Sequence, residues 1–175
     1  MRQLALRFTV FTALAIGLAG ASASSANAEG ISGPDALTLL KTFAGGWTGH
    51  AMTPDGATVS VTYEVTSGGT VVLEKSFVGS DHEMITMYHL EDDQLVATHY
   101  CALGNQPTMR LDTKASDSHQ LVFQFEKVTG LKKPDEMHIH HGTIRVVDAD
   151  RLESSWGMNS KAVEDRKLFL TRAKA

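Results

Sequence analysis

Over residues 57–66 the side chains alternate strictly. Val59, Val61, Tyr63 and Val65 fall on one side, and Thr58, Ser60, Thr62 and Glu64 on the other. Period two is the repeat of an extended strand, and the polar half marks a face left in water. Such a strand belongs in an antiparallel sheet with one buried side. Turn residues bracket it: Pro54-Asp55-Gly56 before and Ser67-Gly68-Gly69 after. Similar strand signals recur at about residues 70–78, 83–90, 94–103, 108–113, 120–128, 137–147, 151–158 and 167–171, and another strand begins at Trp47. That makes about ten strands, joined by turns such as Glu91-Asp92-Asp93 and Asp148-Ala149-Asp150. A single short helix precedes them. Gly33-Pro34-Asp35 opens it, Ala36, Leu39, Leu40 and Phe43 share a face, and Gly45-Gly46 ends it. The expected fold is all-β: an up-and-down antiparallel barrel of about ten strands with a short N-terminal helix. Successive hairpins remove their free edges by closing, and an open sandwich is the alternative.

The first 28 residues read differently. Arg2 and Arg7 give a basic start, residues 8–19 are apolar, and small residues lead to Ala26-Asn27-Ala28. This is the pattern of a signal peptide cleaved near Ala28, and the separated arginines favour the Sec route. The chain divides into a signal at 1–28 and a barrel domain at 29–175, destined for the periplasm or the exterior. The apolar stretch falls short of a membrane span, and no later stretch approaches one, so no membrane insertion is expected.

Without the signal, 147 residues remain, with 14 basic and 20 acidic side chains and a net charge of −6. That balance argues against a nucleic-acid partner. Cys101 is the only cysteine, so no internal disulfide can form and the core alone must hold the fold. A chain this long buries enough surface to do so.

Polar residues of chemical interest lie on four strands. A hairpin turning at Glu91–Gln94 opposes Met84 to Cys101, Thr86 to His99 and Tyr88 to Ala97. We assign that side to the interior, which puts Met84, Tyr88, His99 and Cys101 on a cavity wall. A buried imidazole or phenol needs a hydrogen-bond partner, from the protein, from water or from a ligand. His99 and Cys101, two apart on a strand, stand too far apart for a direct nucleophile–base pair. A second hairpin, turning at Asp148–Arg151, opposes Arg145 to Ser154, Thr143 to Trp156 and His141 to Met158. If that face is internal, His141, Arg145 and Trp156 join the pocket; otherwise Arg145 points to water and pairs with Glu153. Met137-His138-Ile139-His140-His141 places His138 and His140 on one strand face, the arrangement by which some zinc sites take two ligands. No complete catalytic triad, phosphate loop or dinucleotide motif is present, so no catalytic residue is assigned.

Phe43-Ala44-Gly45-Gly46-Trp47-Thr48-Gly49 runs a short helix into a Gly-x-Trp, and Leu168-Phe169-Leu170-Thr171-Arg172 ends the last strand on a base. This pairing resembles the calycin superfamily, which includes lipocalins, fatty-acid-binding proteins and nitrobindin-like haem barrels. The resemblance implies that Trp47 plugs one barrel end and Arg172 packs across its face, a cation–π closure. Met87-Tyr88-His89-Leu90 and Thr98-His99-Tyr100-Cys101-Ala102-Leu103-Gly104-Asn105-Gln106-Pro107 are similar to uncharacterised secreted bacterial lipocalin-like proteins, over about residues 45–172. Fatty-acid-binding barrels hold carboxylates with interior arginines, which would suit Arg145. The haem barrels take iron from a late histidine, and this chain has none after His141. The expected function is noncovalent binding of a small, partly apolar and carboxylate-bearing ligand, with no cofactor. The alternatives are a haem or zinc barrel using histidines, and an acid–base enzyme acting through His99 and Tyr88.

Overall fold

Ten consecutive antiparallel strands close on themselves in the computed structural model, which describes residues 30–174. The segment read as a signal, 1–28, lies outside the described residues. Helix α1 (Gly33–Lys41) leads into β1 (Gly45–Ala51), β2 (Thr58–Thr66), β3 (Val71–Ser76), β4 (Met84–Glu91) and β5 (Gln94–Tyr100). β6 (Gln106–Leu111), β7 (Gln120–Thr129), β8 (Ile139–Asp148), β9 (Arg151–Met158) and β10 (Arg166–Arg172) follow. Each strand pairs with its sequence neighbours, and β1 pairs with β10 to complete the barrel. The closed up-and-down barrel expected from the alternation is therefore observed, and the sandwich is not. No helix among the described residues is long and apolar enough to cross a membrane.

α1 closes one end. Ser32 caps it, its hydroxyl accepting from the Asp35 N–H at 3.2 Å, and Pro34 sits in the first turn, where its missing N–H costs nothing. Ala36, Leu37 and Leu40 are buried, while Leu39 is only partly so. The buried stripe is thus rotated toward Leu37 from the face expected. Gly33 explains the seating of the helix: a Cβ there would collide with the Asp93 carbonyl in the β4–β5 turn. Phe43 continues the plug, edge-on to both Trp47 and Tyr63.

Trp47 is 1% exposed and donates its indole N–H to the Phe43 carbonyl at 2.8 Å. The Arg172 guanidinium lies 4.3 Å from the Trp47 ring centroid. It also donates to the carbonyls of Thr42, Ala44 and Ala149, tying the last strand to the helix exit and to the β8–β9 turn. A cation held over a buried ring in this way adds roughly 0.5–2 kcal/mol.

Below mid-height the barrel is filled by apolar side chains, among them Val72, Tyr88, Leu95, Met109 and Phe123. At the other end the strands part. Pairing of β5 with β6 stops at Thr98–Thr108, and the next residue of β6 is Pro107, which has no N–H to offer. The loop beyond is tied instead by the Cys101 N–H to the Asn105 carbonyl, at 3.1 Å.

Candidate functional site

The open half of the barrel encloses a cavity of about 480 Å³. Register stacks its lining in rows across β3, β4 and β5. Val72, Tyr88 and Ala97 make the buried row beneath it, and Glu74, Thr86 and His99 the lowest row of the lining itself. Ser76 and Met84 are paired above them, with Cys101 one step past the Ile85–Tyr100 pair. The hairpin register expected from the Glu91–Gln94 turn is the one observed, and it sends this face inward.

The middle row carries the chemistry. Glu74 is 4% exposed, and it accepts from the Tyr88 hydroxyl at 2.6 Å and the Ser76 hydroxyl at 3.3 Å. Burial raises its pKa above the ordinary carboxylate value, and the hydroxyls of Tyr88, Tyr63 and Ser76 pull it partly back. The Tyr63 and Tyr88 phenols are pushed up in turn, first by burial and then by the Glu74 charge. Beside them, His99 is 4% exposed, with Nδ1 2.9 Å from the Thr86 hydroxyl. Its Nε2 is buried and has no hydrogen-bond partner among the described residues. Burial pushes the imidazole pKa down to about 4, so the ring is neutral at pH 7.

The remaining wall is apolar. Met84, Ile139, Trp156, Met158 and Leu168 line it. Trp156 is held in place by a stacked contact with Phe123, with centroids 6.1 Å apart, and by Gly142 opposite it on β8. A Cβ at Gly142 would overlap the indole, so the ring lies on bare backbone. Ser80, His82, Cys101, Leu103, Met137 and Arg166 stand around the mouth.

Of the residues singled out from sequence, Met84, His99, Cys101 and Trp156 do line one cavity. Tyr88 lies beneath it as the fully buried support of Glu74. Since Tyr88 is bound to Glu74 and His99 to Thr86, the two do not form an acid–base pair.

Arg145 and His141 must be corrected. The β8–β9 register shifts between Val146 and Asp148, so Arg145 opposes Glu153, and Gly142 opposes Trp156. One extra residue on β8 reverses which of its side chains face inward. Arg145 points outward and pairs with Glu153 at 3.1 Å, and His141 lies outside, 3.3 Å from Asp165. Neither reaches the cavity.

His138 and His140 also depart from the metal arrangement. His140 stacks flat on Phe125, with centroids 4.5 Å apart, and the buried His138 ring tilts against the same phenyl at 5.2 Å. His138 Nδ1 is engaged with the Glu136 carbonyl at 2.9 Å. Among the described residues no group of three or more His, Cys, Asp or Glu side chains forms a metal-ligand set. With Phe125 these rings form an aromatic cluster.

Sequence reasoning does not single out Glu74, Ser76 or Arg166. The first two are legible in principle. Val61 and Tyr63 face inward by alternation, and pairing across the 67–69 turn sets Ser76 and Glu74 opposite them. On β3 itself the outward Val71 and Leu73 mask the pattern.

Compared with protein-family models and with curated proteins, the sequence matches none.

Proposed function

We propose that this chain is an exported, calycin-type binding barrel that holds one small, largely apolar molecule noncovalently in the cavity. His99, which lines an apolar chamber and whose buried Nε2 has no hydrogen-bond partner among the described residues, carries this reading. An unpaired polar atom of that kind costs roughly 1–3 kcal/mol, which a ligand's hydrogen bond would recover. A cavity with apolar walls and a few convergent polar atoms is the usual form of a small-molecule site, and about 480 Å³ suits such an occupant. The polar end of the ligand meets His99 and Glu74. An acidic group placed elsewhere on the molecule would meet Arg166 at the mouth, the role expected of Arg145.

The test is a titration with the fluorescent apolar probe 8-anilinonaphthalene-1-sulfonate. The wild-type barrel should bind one probe with enhanced emission. Ser80→Trp, which puts an indole in the mouth at an exposed position, should weaken binding by about tenfold or more, or about 1.4 kcal/mol, without lowering the melting temperature. Equal affinity in the two proteins would reject the cavity as the site.

A further inference from the structure

Three soft or borderline metal donors meet on the inner face of the β4–β5 hairpin, and the apolar-ligand reading uses only one of them. His99 offers the unpartnered Nε2. Cys101, two residues on, and Met84 flank the Ile85–Tyr100 pair that ends the ladder, and both line the same cavity. Directly opposed residues of an antiparallel pair bring their Cβ atoms to roughly 4.5–5.5 Å, and diagonal neighbours to roughly 7–8 Å. Met84, His99 and Cys101 therefore occupy the corners of one triangle of neighbouring inward positions, from which the longer Met84 and His99 side chains reach toward Cys101.

We propose that Met84, His99 and Cys101 bind one monovalent soft cation of the Cu(I) class. Thiolate and thioether sulfur select Cu(I), and imidazole is an accepted third donor. Zinc would want three or four donors drawn from Cys, His and carboxylate, a set not assembled among the described residues. Charge points the same way. One thiolate cancels one positive charge, so the loaded site is neutral and tolerates an apolar wall, whereas a divalent ion would leave a charge to be buried.

The surroundings are arranged for it. The Thr86 hydroxyl at Nδ1 fixes the plane of the His99 ring, as outer-shell partners of metal-bound histidines do. The Leu103 N–H points at the Cys101 sulfur at 3.5 Å and holds the side chain in place. Met137 and Met158, whose thioethers are further soft donors, line the same cavity. On loading, the Cys101 S–H bond breaks as the S–Cu bond forms, and the proton leaves to solvent through the mouth. The metal arrives as Cu(I), so no electron is transferred.

The experiment titrates the mature protein anaerobically against the coloured Cu(I)–bicinchoninate complex. Wild type should withdraw one equivalent and gain near-ultraviolet sulfur-to-copper absorption. Cys101→Ser and Met84→Leu, both close in shape to the native residues, should each lose about tenfold or more in affinity, a range that even outer-shell changes reach. Met87→Leu, on the outer side of the same strand, should match wild type. Failure to withdraw copper, or equal affinity in all four proteins, would overturn the proposal. The anilinonaphthalene probe is run in parallel on the same proteins. Probe binding without copper uptake sinks the metal site alone, and copper uptake without probe binding sinks the apolar-ligand reading alone.

Discussion

His99 shows what one buried side chain does to the whole. Its ordinary pKa of 6.5 falls to about 4 because the cationic form would lose its water. Between those values the unfolded chain binds a proton that the folded chain refuses, so stability falls as pH drops from about 6.5 to about 4. The gap corresponds to about 3 kcal/mol. Glu74, with a raised pKa, acts in the opposite sense, favouring the folded state at low pH and losing that contribution as pH rises. His99→Gln keeps Glu74 and removes the imidazole. Urea unfolding at pH 7 and pH 4 should show wild type losing about 3 kcal/mol more than the variant over that interval; parallel losses would mean that His99 is not desolvated.

Among the elements, two hairpins show how far sequence can be read. Asp92 and Asp93, in the β4–β5 turn, both adopt positive φ, the two-residue geometry that locks a hairpin register. That turn makes the inward positions of Thr86, Tyr88 and His99 legible in the amino-acid order alone. The β8–β9 turn is equally visible, yet the shift at Val146/Asp148 slips the far strand by one residue. Nothing local marks Val147 as the extra residue, so counting back from the turn sends Arg145 and His141 to the wrong side. Trp156 still faces inward because β9 itself is regular from the turn as far as that residue. Gly142 is then the residue on which this hairpin depends. Gly142→Ala should displace the indole from the strand, costing about 1–3 kcal/mol and shifting Trp156 emission. The paired readouts are urea unfolding and fluorescence in a Trp47→Phe background. An unshifted spectrum would show that the ring does not rest on that backbone.

The whole molecule is a barrel with two unlike ends. One is sealed by α1, Trp47 and Arg172. The other opens through five loops, and each exposes one large apolar side chain: Met52, Val78, Leu103, Met137 and Val163. An apolar molecule approaching the mouth therefore meets apolar side chains before it meets Arg166 and the interior. Closure is legible in the sequence because ten half-buried strands joined by short turns have few other ways to hide their edges. The cavity is not. Whether a barrel is filled or hollow depends on how side chains from non-adjacent strands meet, and no single strand's pattern records that. Native mass spectrometry of the protein purified from its own host addresses occupancy most directly. A one-to-one adduct with a small molecule, lost from Ser80→Trp, is the expected result. An empty barrel, together with no thermal stabilisation across a panel of fatty and aromatic acids, would contradict it.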